Sequence, residues 1–114
     1  MFIPAFFGDA ANLRGLMPNS DGDFYWNGGW PMGNFEVNWN EDAYHISKNN
    51  GKLYMTGVSP AFFTHYGANT WNKNWIYRSD DWLYAKRWEQ LVSHRNEVNI
   101  VQITTWNGAS SFLF

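Results

Sequence analysis

At 114 residues the chain makes one domain at most, or part of one, and its formal charge of -2 leaves no basic patch for nucleic acid. It contains no cysteine, which excludes disulfides, thiol nucleophiles and cysteine-ligated zinc. No apolar run reaches the roughly 18 residues of a membrane span, and the start "MFIPAFFGDA" lacks the basic segment and small-residue cleavage site of a signal peptide.

In chain order, "FIPAFF" (Phe2 to Phe7) is an apolar run that predicts a buried strand, with Pro4 restricting it to a strand start or an edge. "DGDFYW" (Asp21 to Trp26) follows a turn-rich stretch and reads as a second strand. Glu41 to Asn49 starts with acids and stops at Asn50-Gly51, as a helix does. "KLYMTGVSP" (Lys52 to Pro60) is a third strand ending in a Ser-Pro turn. A long loop dense in aromatics and amides follows, from Ala61 to Ser79. Ser79-Asp80-Asp81 caps a helix whose apolar positions Tyr84, Trp88, Leu91 and Val92 recur at helical spacing as far as His94. "VNIVQITTW" (Val98 to Trp106) is nearly continuous in apolar residues, as a strand buried on both faces would be. Helices alternating with strands predict βαβ units and an α/β fold. Such folds bind ligands at the carboxyl ends of their strands.

Aromatic residues make up 20% of the chain against 16% charged. Many of these rings stand in polar stretches such as "DFYWNGGWP" and "TWNKNWIYRSDD" rather than in periodic segments. Flat rings beside amides and carboxylates suit carbohydrate, whose apolar faces stack while its hydroxyls hydrogen-bond. No phosphate loop or dinucleotide fingerprint is present, and Asn27-Gly28-Gly29 is too short to be one. His45, His65 and His94 lack metal-ligand spacing. A Ser59, His65, Asp81 triad can be written down, but Ser59 has no nucleophile elbow. Glycoside hydrolysis needs two carboxylates. Glu41, Asp42, Glu89 and Glu97 read as helix or turn surface, and Asp80 and Asp81 as helix-start residues. Asp9, Asp21 and Asp23 could reach a site, though no two form a pair by spacing.

The blocks "YMTGVSPAFFTHYG", "WNKNWIYRSDDWLYAKRWEQLV" and "VQITTWN" resemble the family 71 glycoside hydrolases, the fungal endo-1,3-α-glucanases or mutanases; "FIPAFFGD" and "DGDFYWNGGWP" are similar to the family's preceding segments. The resemblance implies a (β/α)8 TIM barrel, inverting hydrolysis of α-1,3-glucan in fungal cell wall or mutan, no cofactor, and an extracellular location; the histidine spacing predicts no metal. A barrel of this type takes about 250 residues and eight strands, so this chain would be an incomplete fragment of about four strands with intervening helices. Its partner would be the polysaccharide, with no nucleic acid and no membrane.

By matching position, Asp9, Trp26, Trp30, His65, Tyr66, Arg78, Trp106 and Asn107 would bind substrate. Where the family usually has Trp after Val-Ser-Pro, this chain has Ala61. The family continues Trp-Asn with Asp-Tyr-Gly-Glu-Ser, whose Asp and Glu supply acid and base. Here those positions are Gly108 and Ser111, so no catalytic residue carries over. The expectation is a family-like segment over residues 1–107 and an unrelated tail over 108–114, a break typical of a frameshift, a missed splice junction or a truncated gene. The alternatives are a non-catalytic glucan-binding remnant and a product that does not fold.

Overall fold

In the computed structural model of the chain, residues 1–5, 15, 18–31, 36–60, 68–69 and 82–104 are described, together with the backbone of 63–65 and 74–76. Strand β1 (Gly22–Tyr25) leads into a short 3-10 helix over Trp26–Gly29, and helix α1 (Asn40–Lys48) returns the chain to β2 (Leu53–Val58). Strands β3 (Phe63–His65) and β4 (Asn74–Ile76) form an antiparallel hairpin. The stretch predicted as one loop from Ala61 to Ser79 therefore contains paired strands. Helix α2 (Leu83–Ser93) then leads to β5 (Ile100–Ile103).

Strands β1, β2 and β5 form a parallel sheet in that order, with Tyr25 opposite Thr56 and Thr56 opposite Val101. Parallel neighbours need crossovers, and α1 and α2 supply them. Pro4 has no N–H to give a ladder, and Met1–Ala5 is correspondingly irregular rather than the strand expected from Phe2. It still lies along β1, because Asp21 and Phe24 donate their N–H groups to the carbonyls of Phe2 and Pro4 at 2.8 and 3.0 Å.

Helix α1 stops where Asn50-Gly51 predicts. Both residues have positive φ, 59° and 74°, a conformation that glycine and asparagine tolerate. The Asn49 side chain holds this turn, accepting from Gly51 N–H at 3.1 Å and donating to Lys52 O at 3.0 Å.

Side chains alternate across a strand, so Tyr54 and Thr56 share one face of β2. Both bond to Asp42 of α1, and Thr56 also bonds to Arg87 of α2. The two helices therefore cover the same face of the sheet. The Arg87 guanidinium grips the Asp42 carboxylate with two bonds, Nη1 to Oδ2 at 2.8 Å and Nη2 to Oδ1 at 2.7 Å. Its Nε donates to Gly57 O at 3.2 Å, and Nη2 also reaches Thr56 Oγ1 at 2.9 Å. Asp42 Oδ1 accepts further bonds from the hydroxyls of Tyr54 (2.8 Å) and Thr56 (2.9 Å). Arg87 and Asp42 are 0% and 1% exposed.

This cluster corrects two expectations. Asp42 is a buried ion-pair partner, not helix surface. The buried stripe of α2 is Leu83, Arg87 and Leu91, whereas Val92 is 57% exposed. The sheet demands a cation at Asp42, and the helix turns its arginine inward to supply it. β5 also differs from expectation: it is half-buried, with Ile103 at 44% exposure. Among the described strands it has a neighbour on one side alone.

Two consequences are measurable. Removing one partner of a buried ion pair strands the other charge, a loss of roughly 3–5 kcal/mol. Arg87→Met should lower the denaturant-derived stability by that amount, and Asp42→Leu/Arg87→Met by less than Arg87→Met alone. A single-variant loss below about 1 kcal/mol would mean that the pair does not hold the fold. Burial, reinforced by the Asp42 carboxylate, pushes the Tyr54 phenol well above its ordinary value of 10.0. A group whose folded value is raised contributes stability that is complete below its unfolded pKa and declines as pH climbs past it. Stability should therefore fall from about pH 10 upward. Tyr54→Phe should cost about 1 kcal/mol at neutral pH and flatten that alkaline decline, seen in melting temperature against pH.

Candidate functional site

The carboxyl ends of the parallel strands are where a fold of this kind can hold a ligand. At the end of β1 the chain tightens into the Trp26–Gly29 3-10 helix, which lies across β2. Its two glycines make that approach possible. A Cβ on Gly28 would overlap Thr56 Oγ1 and stand 3.1 Å from Arg87 Nη2, and one on Gly29 would stand 3.2 Å from Ser59 N. The buried ion pair thus lies directly beneath the turn that carries Trp26, Asn27 and Trp30.

Between this turn and the start of α1 is a cavity of about 370 Å³. One wall is Tyr25 with Asn27, Gly28, Trp30 and Pro31; the other is Val37 and Asn38 with the first turn of α1, Asn40 to Asp42. Asn38 Oδ1 accepts the Asn40 N–H at 3.0 Å and so fixes the helix entry. The Tyr25 ring is backed by His45, with centroids 4.4 Å apart and planes tilted by 30°. Tyr25 has further interactions of its own. No lysine or arginine is among the described lining residues.

Behind Tyr25, His45 Nδ1 lies 2.6 Å from Asp23 Oδ2, with Asp23 completely buried and its Oδ1 without a hydrogen-bond partner among the described residues. Asp23 lies in the helix-covered layer, where the side chain closes on His45. Asp21 stands before β1, at the amino end of the sheet, where Phe2 N–H donates to its carboxylate at 2.5 Å. Two acids expected to be able to reach a site therefore do not reach the carboxyl edge of the sheet. At that edge, Thr104 N–H donates to Val58 O at 2.9 Å and extends the β2–β5 ladder by one residue. Among the described residues, the buried hydroxyls of Ser59 and Thr104 have no hydrogen-bond partner there. Among the described residues no group of three or more histidines and acids could hold a metal ion.

Of the residues expected to bind substrate, Trp26 is 36% exposed and meets Phe24 edge to face at 5.8 Å. Trp30 is 3% exposed; it packs with Leu83 and Val37 and is among the residues that line the cavity. His65 lies in β3. Asp9, Tyr66, Arg78, Trp106 and Asn107 lie outside the described residues. Sequence reading missed Asn38, Asn40 and the Asp42–Arg87 pair. The one available signal was an arginine at the centre of the Leu83, Leu91 stripe, where an amphipathic helix ordinarily carries an apolar residue.

Comparison with known proteins fits this arrangement. The profile of glycosyl hydrolase family 71 matches residues 1–112. A glucan endo-1,3-alpha-glucosidase of Schizosaccharomyces pombe is 37% identical over 77% of this chain and 19% of its own length. An ascus wall endo-1,3-alpha-glucanase of the same organism is 35% identical, over 98% of this chain and 25% of its own length. A mutanase of Penicillium rubens is 32% identical, over 92% of this chain and 23% of its own length. The chain thus spans about a fifth to a quarter of the relatives it matches. No solved structure is a significant match. With the family profile running from its first residue to residue 112, the chain belongs to glycosyl hydrolase family 71.

Proposed function

We propose that the chain is part of the catalytic domain of an extracellular α-1,3-glucanase, an incomplete (β/α)8 barrel whose carboxyl edge binds α-1,3-glucan. The observation that carries this reading is the β1-β2-β5 parallel order, with crossover helices on one face and aromatic-polar segments at the strand ends. The relatives named for cleavage of that polymer support the substrate. The glucan surface is assigned to Trp26 and, by position, to Asp9, His65, Tyr66, Arg78, Trp106 and Asn107, while Trp30, 3% exposed, contributes only through the cavity it lines. Stacking on rings supplies the affinity.

Hydrolysis is a separate matter. It needs an acid and a base on opposite sides of the scissile bond. Gly108 and Ser111 stand where the family resemblance places that pair, and neither exchanges a proton at neutral pH. Asp42 cannot substitute, because both of its oxygens are committed to Arg87. We therefore assign this chain glucan binding without cleavage, with residues 108–114 outside the binding surface.

The purified chain, incubated with insoluble α-1,3-glucan, is expected to be retained more than on cellulose and to release no reducing sugar. Trp26→Ala should weaken retention by about fivefold, near 1 kcal/mol. Equal retention on both polymers would overturn the substrate assignment. Release of oligosaccharide by the unmodified chain would overturn the assignment of residues 108 and 111.

A further inference from the structure

We propose that the cavity between the Trp26–Gly29 turn and the start of α1 is a pocket for a single neutral sugar unit, distinct in its residues and chemistry from the stacking surface above. Its volume, about 370 Å³, lies in the range of small-ligand sites. The side chains that face it suit a polyol. Asn27, Asn38 and Asn40 bring amides that both donate and accept hydrogen bonds, while Tyr25 and Trp30 bring flat rings.

Charge narrows the ligand class. Asp42 also lines the cavity, but its carboxylate is neutralised by Arg87, which bonds both oxygens. Glu41, exposed in the first turn of α1, has no ion-pair partner among the described residues. The described lining thus carries one negative charge without an ion-pair partner among the described residues, and no lysine or arginine. Phosphorylated or uronic sugars meet repulsion, whereas a neutral hexose can place a hydroxyl on the Glu41 carboxylate.

The pocket is also pre-formed. Tyr25 is fixed from behind by His45, Trp30 is wedged against Leu83, and the turn rests on the ion pair through Gly28. A rigid wall spares the ordering cost of binding. The geometry therefore points to a site that captures a terminal or branching glucosyl unit while the polymer lies on the exposed rings.

The proposal rests on the glucan reading for its choice of sugar, and the two are separable. Titration of the full chain with the α-1,3-linked glucose disaccharide, followed by tryptophan fluorescence and calorimetry, should give saturable binding near about 1 mM. Glucose 6-phosphate should bind at least about tenfold more weakly. Asn27→Ala should weaken the disaccharide by about fivefold or more. Glu41→Gln, which keeps an acceptor but loses the charge, should retain the disaccharide and shrink the discrimination against phosphate to below about threefold. Retention on insoluble glucan, measured in parallel, separates the two ideas. Retention without saturable disaccharide binding overturns the pocket alone, and saturable binding without retention overturns the glucan surface alone. Equal affinity for the phosphorylated sugar, or an Asn27→Ala variant of native circular dichroism and unaltered affinity, also overturns the pocket.

Discussion

The Asp42–Arg87 ion pair is the constraint from which the rest of the described architecture follows. Two full charges out of water are tolerable only if they are well hydrogen-bonded, and here all five guanidinium N–H groups and both carboxylate oxygens have partners. Arg87 engages Asp42, Thr56, Gly57 O and, at 3.3 Å, Gln90. That saturation fixes α1, β2 and α2 relative to one another. It also decides which face of α2 turns inward, since the arginine must stand between Leu83 and Leu91.

The turn above the pair inherits this geometry. Gly28 and Gly29 descend onto Thr56 and Ser59 because neither has a side chain to hold them off. The same descent presents Trp26 outward and lodges Trp30 inward. Rings four residues apart in a loop thus acquire different tasks, one packing the core and lining a cavity, the other facing solvent. A second stacking layer ties the helix ends together, where Trp39 lies on His94 at 4.0 Å and Arg87 sits 5.9 Å from the Trp39 ring.

Much of the secondary structure is legible in the sequence because its signals are local. The Asn50-Gly51 stop, the apolar run of β2 and the βαβ alternation each depend on neighbours within a few residues. The β3–β4 hairpin escaped because its strands have three residues each, too few for alternation to register. Asp42 was misread for a sound local reason: an acid in the first turn of a helix ordinarily serves the helix dipole. Its partner lies 45 residues away, and no spacing rule connects them. The cavity was hidden in the same way, since its walls come from a turn and a helix start that meet only in three dimensions. The partnership of Asp23 with His45 spans 22 residues and was equally invisible.

The sequence distances inside this cluster have a kinetic meaning. Asp42 and Thr56 are 14 residues apart, Thr56 and Arg87 31, Asp42 and Arg87 45. The Asp42–Arg87 contact closes the longest of these loops, and closing it costs more chain entropy than the shorter contacts, so the two charges are expected to lose their water late in folding. Interactions absent from the transition state act on the rate of leaving the native state rather than on the rate of reaching it. The ion pair is therefore a latch: it does little to speed the chain into its fold and much to set how long the fold lasts.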